Sequence, residues 1–116
     1  MALGEETRHQ IAVANYLHYL GVLFTATANG VYTSKKQAQI MKAMGLQSGV
    51  PDILIFEPRG EYIGLALELK STKGRPTPAQ KMWIEKMKSK GWAAEIGRPE
   101  TSIDLIDRYL KGELLR

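Results

Sequence analysis

The chain has no cysteine and only two histidines and two phenylalanines among its 116 residues. Without cysteine, disulfides and thiolate metal sites are excluded, and imidazole ligation is limited to His9 and His18. These two lie nine apart in one helical pattern, about 180° out of phase, so they cannot chelate one ion and read as surface residues. No apolar run approaches the ~20 residues of a membrane span, and the N-terminus lacks a secretory pattern, so no membrane association and a cytoplasmic location are expected. There is no G-x-x-x-x-G-K-S/T loop and no dinucleotide fingerprint, which argues against nucleotide-driven chemistry. Ser34, Ser48 and Ser71 lack a His–Asp partner pattern, which argues against a serine hydrolase.

What is present is positive charge in one place. The net charge is +4 and the sequence pI about 9.4. Residues 70–90 hold Lys70, Lys73, Arg75, Lys81, Lys86, Lys88 and Lys90 against one acid, Glu85. That window is strongly basic while the remainder is mildly acidic, a distribution suited to a polyanion, nucleic acid before others. A solvated helix face is the plainer explanation of the same residues.

Local patterns predict one domain over residues 1–116 with the order α, β, β, β, α, β, α. A first helix runs from about Glu5 to Leu20 and stops at Gly21. VLFTATA (22–28) reads as a strand. Residues 29–49 read as an exposed insertion with a short helix in its middle. PDILIF (51–56) and EYIGLALELK (61–70) read as an antiparallel hairpin about the turn EPRG. Thr77 and Pro78 open a helix to about Lys90, WAAEI (92–96) is a last strand, and an amphipathic helix follows Thr101 or Ser102. The fold class is α/β, a mixed sheet flanked by helices.

The stretch LALELK (65–70) ends with two charges on one face. Ile63, Leu65, Leu67 and Leu69 share one parity and suit a core; Tyr62, Gly64, Ala66, Glu68 and Lys70 share the other. The small residues at 64 and 66 suggest that this second face is open to a ligand or a backbone. A hairpin also brings Asp52, at the start of its first strand, beside Glu68 and Lys70. Two converging carboxylates repel unless a cation bridges them, and Mg²⁺ takes one or two carboxylates together with water and phosphate oxygens. An Asp–Lys–Glu ion-pair cluster at a strand end is the alternative.

Pro51-Asp52, a gap of 15 residues, and Glu68-Leu69-Lys70 resemble the PD-(D/E)xK nuclease signature. A glutamate heading the first helix, Asn29-Gly30 after a strand, G-V-P-D, a hairpin into E-L-K and a helix opening T-P-A-Q follow in order. Over roughly residues 5–98 this resembles the virus-type replication-repair nuclease (VRR-NUC) family. The resemblance implies a restriction-endonuclease-like core and a DNA endonuclease using Mg²⁺, with Mn²⁺ able to substitute. It implies metal ligation by Glu6, Asp52, Glu68 and the carbonyl of Leu69, with Lys70 as the catalytic lysine. Gln80 would be the helix glutamine reaching toward the lysine or the scissile phosphate. Glu6 is followed by Gln10 as in the family, and its stripe continues through Val13, Leu17 and Leu20; Glu5 is the alternative acid. Trp83 and Met87, four apart, read as core contacts of the basic helix.

Small members of the family resemble junction-resolving enzymes, which implies a homodimer acting on branched DNA such as four-way junctions. The expected dimer surfaces are the 29–49 insertion and the stripe Ile103, Leu105, Ile106 and Leu110. A phage or prophage origin follows from the family resemblance alone. No helicase partner can be read from the chain. The rival readings are a nicking or restriction-type enzyme on linear duplex, an RNase of the same fold, and a non-catalytic DNA-binding or assembly subunit.

Overall fold

A computed structural model describes residues 3–27 and 34–114. Asn29 and Gly30 lie outside the described residues. The elements are α1 (Glu5–Leu20), β1 (Phe24–Ala26), α2 (Lys35–Ala43), β2 (Ile53–Ile55), β3 (Leu65–Leu69), α3 (Pro78–Ser89), β4 (Ala93–Gly97) and α4 (Ser102–Leu110). They form a mixed four-stranded sheet in the order β1-β2-β3-β4, flanked by helices as in the restriction-endonuclease-like fold. The first two pairings are antiparallel and β3–β4 is parallel. A parallel pair needs a crossover, and α3 supplies it.

The two sheet faces follow from strand parity. Ile53, Ile55, Leu65, Leu67 and Ala93 bury one face against Val13 and Leu17 of α1 and Ile106 and Tyr109 of α4. Ala66 and Ala94 face the other way, under Ile84 and Met87 of α3. Short side chains on this second face let α3 pack close, and burying its apolar residues contributes roughly 1.5–3 kcal/mol each. The face expected to be open beside Glu68 is therefore closed along most of its length. At Gly64 the reason is direct: an added Cβ would stand 2.6 Å from both the Trp92 ring and the Ile55 carbonyl oxygen.

Other boundaries also differ from expectation. β1 is shorter than 22–28, and β4 begins at Ala93 rather than Trp92. Residues 56–64 form a longer connection carrying an isolated Arg59–Tyr62 bridge, so β3 starts at Leu65 and Ile63 is exposed. A hydrophobic parity pattern cannot say where pairing stops. The insertion does contain a helix, α2, whose Ser34 side chain accepts from the Gln37 amide as an N-cap. Among the described residues, no helix is long and apolar enough to cross a membrane.

Candidate active site

The site forms where the β2–β3 ladder ends. Ile53 pairs with Leu67, so the next opposed positions are Asp52 and Glu68. Both have the parity of Leu54 and Ala66, which puts them on the α3 side. The Leu69 backbone N–H donates to Asp52 Oδ2 at 2.8 Å, tying this carboxylate to the strand that carries Glu68. On the other side of the Asp52 peptide, the Thr27 N–H donates to its carbonyl at 2.9 Å. Lys70 continues the parallel ladder through an N–H bond to the Gly97 carbonyl, and its Nζ stands 3.8 Å from Glu68 Oε2.

Glu68 is 2% exposed, among the most buried polar residues described. Burial, the neighbouring Asp52 charge and a hydrogen bond between the two carboxyl groups push its pKa up to about 8, and Lys70 only partly opposes them. At neutral pH without a cation the Asp52–Glu68 pair therefore holds a proton. Glu68 Oε1 is buried and has no hydrogen-bond partner. A buried acceptor without a donor is costly, and it marks a place where a positive group would be stabilised.

A cleft of about 170 Å³ opens over this pair. Asp52, Glu68, Leu69 and Lys70 form its floor, the first turns of α1 contribute Glu6, His9 and Gln10, and α3 contributes Gln80. The structure thus brings Glu6, Asp52, Glu68, Leu69, Lys70 and Gln80 around one space, whereas Glu5 is not on the cleft wall. Glu6 stands apart from the carboxylate pair. Among the described residues no group of three His, Asp or Glu side chains is placed to hold a metal ion unaided. The set present, two adjacent carboxylates with an orphan oxygen and Leu69 on the same cleft, fits a hard cation that completes its shell with water and substrate oxygens.

Gln80 serves the helix start from its place on the cleft wall. Its Oε1 accepts the Thr77 N–H at 2.8 Å while Thr77 Oγ1 accepts the Gln80 N–H at 3.2 Å, a reciprocal capping box. Its carbonyl end is engaged at the helix start, so the amide can offer the cleft only its NH₂ donors.

His9 is a correction. Rather than a surface residue, it is half-buried on the cleft wall, with Nε2 2.9 Å from Ser102 Oγ. Ser102 Oγ donates to the Arg98 carbonyl, so it accepts from the imidazole, and the network assigns the proton to Nε2. Burial lowers the His9 pKa against the opposing pull of Glu100, Asp52 and Glu5. The overlooked signal was spacing: Glu6, His9 and Gln10 are i, i+3 and i+4, one helical face. His18 instead packs edge-on against Phe24.

Arg98 completes the setting. Its Nη1 donates to the carbonyls of Ser71 and Gly74, each at 2.7 Å, and so holds the loop that follows Lys70. A family model, the VRR-NUC domain, matches residues 5–98. The chain belongs to the VRR-NUC family.

Two solved structures agree with the assignment. One, a VRR_NUC domain protein, superposes with a TM-score of 0.75 at 28% identity, covering 91% of this chain and 88% of its own. Another, a VRR_NUC domain, gives 0.65 at 25% identity, covering 92% of this chain and 99% of its own. A search of curated proteins gives no match. As a VRR-NUC protein the chain is a nuclease of the PD-(D/E)xK type, and the cleft over Asp52, Glu68 and Lys70 lies where that signature falls.

Proposed function

We propose that the protein is a Mg²⁺-dependent DNA endonuclease that cuts branched DNA, with Mn²⁺ able to replace Mg²⁺. The observation that carries this reading is the buried pair Asp52 and Glu68, with Oε1 unpartnered and Lys70 3.8 Å away. Asp52, Glu68 and the Leu69 carbonyl would hold the ion, with Glu6 completing its shell through water. When bound, such an ion supplies Lewis-acid polarisation of the phosphate and stabilises the leaving oxygen.

The residues divide the remaining work. Lys70 is tethered by Glu68 and half-sheltered, so its ammonium is positioned to orient a water for in-line attack or to hold a non-bridging phosphate oxygen. Gln80 donates to a phosphate oxygen from the α3 start. Lys73, Arg75 and Lys81 flank this end of the sheet and engage phosphates without reading bases. Attack breaks the P–O3′ bond, leaving 5′-phosphate and 3′-hydroxyl ends.

A branched substrate suits two symmetric active sites, hence a homodimer. Of the two surfaces expected to dimerise, α4 is occupied: Ile106 is fully buried and Leu105 and Leu110 pack on the core. That leaves α2, which presents Ile40 and Met44, 51% and 77% exposed.

The test is cleavage of a labelled four-way junction and a matched linear duplex, with Mg²⁺, Mn²⁺ or EDTA, by wild type and Lys70→Ala. Metal-dependent junction cutting, lost in the variant while binding persists, is expected. Equal cutting of the linear duplex would remove branched-DNA selectivity but keep the nuclease. No cutting of DNA or RNA by wild type would sink the reading.

A further inference from the structure

A cavity larger than the catalytic cleft lies elsewhere in the described structure. A groove of about 570 Å³ lies between α2 and α3, lined by Ala38, Lys42, Leu46, Ala79, Met82 and Trp83 among others. Its size is that of a site for a small organic ligand rather than a packing defect. We propose that it binds an unpaired nucleotide of the nucleic-acid substrate, with the base against Trp83 and Met82 and the phosphate at Lys42.

Three observations support this occupant. First, the groove is charged one way. Lys42 is the one charged residue among those that line it, and the stretches that carry its walls, 34–49 and 77–84, add Lys35, Lys36 and Lys81 and no acid before Glu85. A protein partner of ordinary composition does not call for such a surface, but a strand of phosphates does.

Second, groove and cleft are neighbours across the first turn of α3. Ala79 lines the groove and its neighbour Gln80 lines the cleft. The 48–51 segment that leads to Asp52 is pressed on the same turn. A Cβ on Gly49 would stand 2.8 Å from the Ala79 backbone. A strand with one phosphate at Lys70 therefore passes the groove within a short run of nucleotides.

Third, the groove is unfinished as a protein interior. The Trp83 Nε1–H is buried without an acceptor. α2 is the one helix that buries none of its described residues. Trp83 and Met82 line the groove, and such an aromatic and thioether surface suits the π face of a nucleobase.

The groove is separate from the surface assigned above to a second copy. Ala38, Lys42 and Gly45 fall on one face of α2, and Ile40 and Met44 on the opposite one. One helix can thus hold the substrate on its inner side and a partner on its outer side. The inference rests on the nuclease reading for its substrate.

The experiment uses intrinsic fluorescence. The chain has two tryptophans, Trp83 and Trp92, so Trp92→Phe leaves Trp83 as the reporter. It is titrated with an oligo-dT of about eight nucleotides and with a blunt duplex, in EDTA to prevent cutting. Anisotropy of labelled oligo-dT repeats the measurement on the chain with both tryptophans. Saturable quenching by oligo-dT, weaker for duplex, is expected. Lys42→Glu and Ala38→Phe should each weaken oligo-dT binding about tenfold, the scale of one stacked base.

In cleavage, a substrate with unpaired nucleotides beside the cut should outrun its fully paired counterpart, and Lys42→Glu should erase that advantage. Absent quenching, with wild type cutting paired and unpaired substrates equally, overturns the groove and leaves the nuclease intact. Quenching without cleavage of any nucleic acid upholds the groove and overturns the nuclease. If Lys42→Glu and Ala38→Phe change the oligomeric state and leave quenching untouched, the groove belongs to a second copy and the proposal fails.

Discussion

Asp52 Oδ2 accepts the backbone N–H of Leu69 at 2.8 Å, so the first acid of the site is anchored by the strand that carries the second. Asparagine can make the same bond through its carbonyl oxygen but cannot supply the charge. Asp52→Asn should fold with a Tm close to wild type and lose at least about a hundredfold in cleavage rate. Asp52→Ala removes the acceptor as well and leaves the Leu69 N–H unsatisfied, for a further loss of about 1–3 kcal/mol. Thermal melts beside cleavage rates separate the two effects; equal activity in Asp52→Asn would remove this carboxylate from the mechanism.

The raised pKa of Glu68 makes stability depend on pH in a definite direction. Its folded value of about 8 exceeds the unfolded 4.5, so between them the folded chain binds more protons than the unfolded one. Metal-free stability from this group should therefore fall as pH rises from about 4.5 to 8 and level off above. Glu68→Gln should flatten that slope and melt higher than wild type at pH 8 in EDTA. On the proposed reading an incoming Mg²⁺ or Mn²⁺ displaces the shared proton, so metal affinity should tighten across the same range. Calorimetry in buffers of different ionisation enthalpy would show the proton release, and a pH-independent affinity would contradict it.

Gln80 serves the helix cap and the cleft with opposite ends of one amide. Gln80→Glu keeps an acceptor for the Thr77 N–H and places favourable negative charge at the helix start, so stability should hold. It removes the NH₂ donor and adds an anion near Asp52, so cleavage should fall about tenfold or more. Gln80→Ala should lose roughly 0.5–2 kcal/mol with the cap. If Gln80→Glu cuts as wild type does, the residue is a cap alone.

His9 and Ser102, 93 residues apart in sequence, fix an imidazole tautomer on the cleft wall. Nitrogen NMR should find the proton on Nε2 in wild type, and Ser102→Ala should mix the two tautomers. Gly97→Ala should disturb the same pair, since a Cβ there would stand 2.5 Å from Ser102 Oγ. An Nδ1–H tautomer in wild type would overturn the network.

The meeting of Asp52, Glu68 and Lys70 on the cleft floor was legible because it is local. Parity aligns Glu68 with Lys70, and hairpin register sets Asp52 opposite Glu68, so neither needs tertiary information. What the chain hides is which surface covers which. Gly64 and Ala66 look like an opening until Trp92 and α3 are seen lying over them. His9 looks solvent-facing until α4 delivers Ser102. Gln80 looks catalytic in pattern, yet its carbonyl is engaged by Thr77. The groove at Trp83 gave no periodic signal, since it depends on where a lightly packed insertion helix comes to rest.

α4 lies beyond the matched stretch 5–98, yet Ile106 and Tyr109 are fully inside the main core. The Tyr109 hydroxyl donates to the Glu57 carbonyl at 2.6 Å, and Arg59 Nε donates to the Leu110 carbonyl at 3.0 Å. For anyone splicing this nuclease onto another protein, the end of the family match at Arg98 is the wrong place for a seam. A graft ending there would carry every side chain that lines the cleft and leave the floor beneath β3 and β4 bare. The portable unit extends through Leu114, because α4 keeps the strands bearing Glu68 and Gly97 from opening to water.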